Sequence, residues 1–247
     1  MTEQFRPRGF SFLPPVVKNL LIINVIMFLA TVVLERVHGI DLNDWLGLYF
    51  FQSKGFHAYQ FISYMFMHGS FSHLLFNMFA LWMFGHTIEN IWGAKRFLIF
   101  YFATGIGAGL VQELVCGIRI FSMMNELSPE MVNIVRNDGL ELLREYKNYT
   151  NSAMADYNRL LNSVTVGASG AVYGILLAFG MMFPNALIYI YFLFPIKAKW
   201  FVVIYGAIEL VSGVASTGDG IAHFARLGGM IFGFVLIRHW QKNSFTR

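Results

Sequence analysis

The segment from Leu21 to Val33 reads LIINVIMFLATVV, and extended back to Val16 it approaches the length of a helix that crosses a lipid bilayer. Such a helix needs about 20 largely apolar residues. Five more runs of this kind follow: His73 to Ile88, Phe97 to Ile118, Ala168 to Phe183, Trp200 to Val214 and Ile221 to Ile237. A soluble domain of 247 residues needs more charge on its surface than the 13% found here, beside 56% hydrophobic residues. The chain is therefore expected to be an all-α integral membrane protein of six spans. The stretch from Ile188 to Ile196 is apolar but short and interrupted by Pro195, so it reads as an interfacial extension between the fourth and fifth spans. The first span does not read as a cleaved leader, because no small-residue cleavage site precedes Glu35 and Arg36.

Charge placement sets the expected orientation, because Lys and Arg gather on the cytoplasmic side of spans. With the N-terminus inside, the inner segments hold Arg6, Arg8, Lys18, Lys95, Arg96, Lys197, Lys199, Arg238, Lys242 and Arg247. Both termini are then cytoplasmic, and a bacterial inner membrane is the expected location, since the termini are short and no transit peptide is evident. The sequence pI of 9.2 does not point to nucleic acid, because the basic residues sit at the ends of apolar runs and form no patch. Cys116 has no partner for an intrachain disulfide and reads as a buried structural thiol.

The connection between the third and fourth spans, residues 119–164, differs from the rest. It mixes five basic with six acidic residues, and its apolar residues (Met131, Ile134, Val135; Leu140, Leu142, Leu143) are spaced as on amphipathic helices. Asn137-Asp138-Gly139 is a turn signal between two such helices. We expect an extramembrane helical insertion resting on the outer surface, within a single membrane domain covering 1–247.

Three groups of residues carry candidate chemistry. The first is Gly167-Ala168-Ser169-Gly170, at the entry to the fourth span. Small residues there permit close helix packing. A serine at a helix N-terminus also sits beside free backbone N–H groups able to hold an oxyanion. The second runs from His68 to Asn77. His73 and Asn77, four residues apart, share one helix face. Polar groups inside a membrane favour functional cavities, so this pair reads as donors to a reacting carbonyl or as a structural hydrogen-bond network. A metal site of His68, His73 and His86 matches no metalloprotease spacing. The third is Ala222 to Gly233, where Gly229 and Gly233 make a small-residue face shared by Arg226. Packed against Gly170 and Gly174, that face would bring Arg226 toward Ser169.

In this order on these spans, the motifs resemble the rhomboid family of intramembrane serine proteases. The resemblance rests on His68 through Asn77, Ile88-Glu89, Gly93 to Phe97, Gly167 to Gly170 with Tyr173, and Ala225 to Gly233. It implies a six-span helical bundle and Ser169 as nucleophile in a Ser–His dyad without an aspartate. It implies an oxyanion hole of His73, Asn77 and the Ser169 N–H, with His68 organising the first connection and Tyr173 stacking on the base. The connection from Val37 to Met67, with Trp45, would be the family's half-inserted lateral loop. Transmembrane segments of other proteins would be the substrates, with no cofactor and no metal.

One position departs from the family pattern. Aligned on Gly229 and Gly233, the general-base histidine is replaced by Arg226. A base must offer a lone pair near operating pH, and guanidinium stays protonated with no acceptor. Activity is therefore expected to be lost or strongly impaired unless His223, one turn earlier, serves instead. Arg226 would stay charged beside Asp219 or Glu209, and Glu113 and Glu209 would otherwise bridge helices. The alternative function is a non-catalytic rhomboid-like protein that binds transmembrane clients. A transporter would be expected to show internal repeats, and none is evident.

Overall fold

The computed structural model describes residues 10–190, 193–215 and 221–244. The first helix, α1 (Pro15–His38), starts with proline where no intrahelical donor is needed and stops at Gly39, whose φ of 66° lets its N–H return to Glu35. Its free N-terminal donors are satisfied from elsewhere in the chain. Buried Glu89 accepts from Val16 N at 2.9 Å and Val17 N at 2.7 Å, placing a carboxylate at the positive helix end. The connection 39–67 holds two short helices, α2 (Asn43–Leu46) and α3 (Gln60–Ser63), and a 3-10 turn over Tyr64–Phe66. Gln60 organises it, its buried amide accepting from His57 N at 3.0 Å and donating to Gly55 O at 2.9 Å.

The bundle continues with α4 (Phe71–Trp92) and α5 (Ala94–Met124). Ser70 caps α4 by accepting from His73 N at 3.1 Å. The 31-residue α5 runs past the expected end near Ile118 to Met124. Beyond it come α6 (Pro129–Arg144), α7 (Ser152–Asn162), α8 (Ser169–Met182), α9 (Ala198–Ala215) and α10 (Ile221–Ser244).

Among the described residues, α1, α5 and α9 are long and apolar enough to cross a bilayer, while α8 is apolar but has only 14 residues. Three of the six expected spans thus stand on length and composition alone. The outward faces of α1 (Ile22, Ile26, Leu29, Val33) and α9 (Val203, Ile208, Val211, Val214) are apolar and exposed, as suits lipid. This is a helical membrane protein.

Helix α8 is the centre, packed by α4, α5, α9 and α10. A helix apolar on every side belongs inside, and its buried residues include Gly170, Ala171, Gly174, Ala178 and Gly180. A Cβ on Gly229 would lie 1.9 Å from the carbonyl oxygen of Gly170, so α8 and α10 meet backbone to backbone there. One turn deeper, a Cβ on Gly233 would lie 3.4 Å from Gly174 Cα.

One local expectation is corrected, and a second segment gains its secondary structure. The segment Asn137-Asp138-Gly139 is not a turn, because α6 runs straight through it. Gly139 serves the approach of α7, since a Cβ there would meet Asn158 Oδ1 at 2.2 Å. The chain reverses later, around Tyr146 with φ 57°. In the stretch read as an interfacial extension, β1 (Leu187–Ile190) pairs antiparallel with β2 (Phe194–Lys197), with Pro195 opposite Tyr189. Neither strand has another neighbour in this two-stranded sheet, so a proline without an N–H is tolerated.

Candidate active site

The site is assembled where the first turns of α4, α8 and α10 converge. Gly167 adopts φ 128°, and a Cβ on it would lie 2.8 Å from both Cε1 and Nε2 of His73. Only glycine can take this conformation and this proximity together. Its N–H donates to Tyr64 O at 2.9 Å, and Thr165 pairs with Leu48 in an isolated bridge. The strand of backbone leading to Ser169 is thereby fixed to the 39–67 connection. Ser169 is the first residue of α8 and is half-buried, and no side chain caps that helix end. Its backbone N–H belongs to the turn whose donors have no intrahelical acceptor.

His73 and Asn77 do lie on one face of α4, and Asn77 is buried. Asn77 Nδ2 donates to His73 O at 3.0 Å, leaving its second N–H for other work. His68 is buried beside His73, the rings 5.0 Å apart edge to face. Burial, reinforced by the neighbouring imidazole, pushes His68 down to about 4, so it is neutral at physiological pH. His86 is not part of this group. It sits 13 residues beyond His73 on α4, about 20 Å away along the helix at 1.5 Å per residue, where its Nδ1 lies 2.7 Å from Trp82 O. The histidine trio considered from sequence is therefore not brought together.

Arg226 projects toward the face of α8 that carries Ser169 and, one turn on, Tyr173. Its guanidinium lies 5.9 Å from the centroid of the Tyr173 ring. Arg226 Nη1 donates to both oxygens of Glu209 on α9, at 3.3 and 3.1 Å. The Tyr173 hydroxyl donates to the same carboxylate. His223 Nδ1 is 2.5 Å from Glu209 Oε2. Since Glu209 accepts at that contact, Nδ1 carries the proton. The 3.4 Å approach of Arg226 Nη1 to His223 Nδ1 then sets donor against donor and is not a bond. One buried acid thus gathers three side chains from two other helices. Asp219, the other expected partner of Arg226, lies outside the described residues.

Glu209 was expected beside Arg226 or as a bridge between helices, and it does both, joining Tyr173 on α8 to His223 and Arg226 on α10. Its signal was an acid in the middle of an apolar span, which is costly without a partner. Glu113 differs from its expected role. It accepts from Phe51 N at 2.9 Å and so holds the backbone of the first connection, and among the described residues it bridges no helix. Cys116 is buried in the small core that joins α5 to the insertion.

The family model for the rhomboid domain matches residues 55–119 and 146–240, leaving between them the tip of α5 and all of α6. Among curated proteins, the chain is 27% identical over 224 residues to a protein of Arabidopsis thaliana named rhomboid-like protein 11, chloroplastic, covering 83% of this chain and 64% of that protein. It is 26% identical over 169 residues to one of Saccharomyces cerevisiae named rhomboid protein 1, mitochondrial, covering 68% of this chain and 38% of that protein. The chain spans less than two thirds of the length of either relative. Both are named for organelles, so they lend no support to a bacterial inner membrane.

Proposed function

Because the chain belongs to the rhomboid family, we propose that it is an intramembrane serine endopeptidase framework with Ser169 as nucleophile, in which Arg226 withholds the general base. It would receive transmembrane segments of other proteins from the bilayer and cut them slowly or not at all. One observation carries this reading: the side chain at 226, on the glycine face that meets α8, is a guanidinium bonded to Glu209.

The chemistry follows from proton bookkeeping. Attack by Ser169 Oγ on a peptide carbonyl forms the C–O bond and puts negative charge on the carbonyl oxygen. His73, the second N–H of Asn77 and the Ser169 N–H are the groups suited to receive that charge. The serine proton must go to an acceptor, which would return it to the leaving amine. Arg226 has no lone pair to offer. Glu209 is occupied by three donors. Without a base, an oxyanion site and binding alone leave residual catalysis of about 10³–10⁴ over water in serine proteases.

A second reading has its own observation. Glu209 accepts from His223 Nδ1, which leaves the lone pair on Nε2, the tautomer a base requires. The two separate in one experiment on the purified full chain, measuring cleavage of a transmembrane substrate and fluorophosphonate labelling. Arg226→His should raise both by at least about a hundredfold, within the range ascribed to a positioned base, and Ser169→Ala should abolish the gain. Activity in the unaltered chain that His223→Ala removes would assign the base to His223. Activity that persists through Ser169→Ala would sink the protease reading. Substrate binding with no labelling in either version would favour a non-catalytic client binder. The charge pattern supports both termini on the cytoplasmic side, and the chain reads as one membrane domain carrying an insertion within 119–164.

A further inference from the structure

At the end of the bundle opposite Ser169, where α4 ends, α5 begins and α10 closes, lies an open pocket of about 570 Å³. Trp92, Lys95, Arg96, Ile99 and Trp240 line it. The Arg96 guanidinium sits 4.2 Å from the centroid of Trp240 and 5.4 Å from that of Trp92. The two indoles meet edge to face at 5.5 Å. Cation–π contact with the indoles holds the guanidinium at the pocket wall, and a guanidinium carries the N–H fork that suits a phosphate.

Among the described residues, neither Lys95 nor Arg96 has a carboxylate within 4 Å. Glu89, the nearest acid in sequence, is turned to the start of α1. No acidic side chain occupies the first turn of α5, and none caps it. Below the basic pair the surface becomes apolar and exposed at Ile91, Leu98 and Ile99. Tryptophan pairs of this kind sit at the membrane–water boundary, which is where lipid phosphates lie. A cationic edge with an apolar face beneath it matches a phosphate ester bearing acyl chains better than a free ion.

We infer that this pocket is a binding site for the phosphate of an anionic glycerophospholipid, with Arg96 and Lys95 as its ligands and Trp92 and Trp240 as its walls. The site is independent of any hydrolysis at Ser169, and nothing in the proposed protease chemistry requires it.

The test uses the purified full chain exchanged into mixed micelles holding equal phosphatidylglycerol and phosphatidylcholine, with retained lipid counted by native mass spectrometry. Phosphatidylglycerol should be retained with roughly tenfold preference, as expected for a pair of basic residues at an anionic surface. The double variant Lys95→Gln/Arg96→Gln should bring the two lipids to near parity. Lys95→Gln alone, at an exposed side chain outside the stacked set, should lower the preference severalfold without risk to the fold. Arg96→Lys, which keeps charge but loses the planar fork, should fall between. Lys18→Gln, a basic change on α1 outside the pocket, should leave the preference intact. Retention that ignores Lys95 and Arg96, or that falls equally with Lys18→Gln, would overturn the site in favour of diffuse surface charge. A thermal upshift by inorganic phosphate equal to that by phosphatidylglycerol would overturn the lipid assignment.

Discussion

The seam between α8 and α10 and the pair α6–α7 both bring two helices together, and they do so with opposite residues. At the seam, backbone meets backbone: a Cβ on Gly229 would sit 1.9 Å from Gly170 O. In the insertion, side chains make the contact. Asn158, fully buried, donates to Gly139 O at 3.0 Å and to Asn148 Oδ1 at 3.1 Å, and accepts from Asn162 Nδ2 at 2.8 Å. The insertion also has its own apolar core of Val132, Val135, Met154, Tyr157 and Leu161, against Phe50 and Ile120. Lipid tails are as apolar as leucine, so helices inside a bilayer gain by close packing of small residues. Outside it, an amphipathic stripe gains by leaving water. The same chain packs helices by two methods.

Substitution can break this contrast, and the largest effect is expected at the seam. Gly229→Val would force α8 and α10 apart, because backbone on the other side cannot rotate away as a side chain does. A loss of about 3 kcal/mol or more is expected, at the upper end for overpacking, read as a collapse of thermal stability in detergent. A variant that melts within a degree or two of the parent would mean that the seam is not in contact. In the insertion, Asn158→Ala should be milder and local. It strips partners from buried amides, about 1–3 kcal/mol, and hydrogen exchange should quicken in α6 and α7 while α8 and α10 keep their protection. Faster exchange spread evenly over the bundle would show that the insertion does not hold itself together separately.

The smallest expected effect concerns pH, and it sharpens the boundary between the two regions. His68 lies in the connection next to the seam's entry, and its folded pKa of about 4 is below the ordinary imidazole value. The unfolded chain therefore takes up a proton first as pH falls. Stability from this group is complete above about 6.5 and declines as pH drops through about 4, by at most about 1.4 kcal/mol per pH unit. Melting curves from pH 7.5 to 4.5 should show the decline, and His68→Phe should flatten it. An unchanged slope in that variant would place the acid sensitivity elsewhere.

Part of the local architecture misled the sequence reading for identifiable reasons. Asn137-Asp138-Gly139 has the composition of a turn, yet Gly139 is needed for the approach of Asn158, a requirement set by a residue nineteen positions away. Glu209 was visible as an acid in an apolar run and as one of two expected partners of Arg226, but its joining of Tyr173 and His223 was not. Its partners Tyr173, His223 and Arg226 come from two separate helices.

Read alone, the residues determined that this chain belongs in a bilayer, that its helices carry glycine faces, and that one of those faces is shared by an arginine, Arg226, which has no lone pair to offer. Those properties depend on composition, on periodicity and on the side chain's own chemistry, which the chain carries wherever it folds. Only the tertiary structure decided that Glu209 holds Arg226 and His223 at once, that Gly167 bends around His73, and that two tryptophans clasp Arg96. Each of these depends on distances between residues far apart in sequence, and such distances exist only after helices pack.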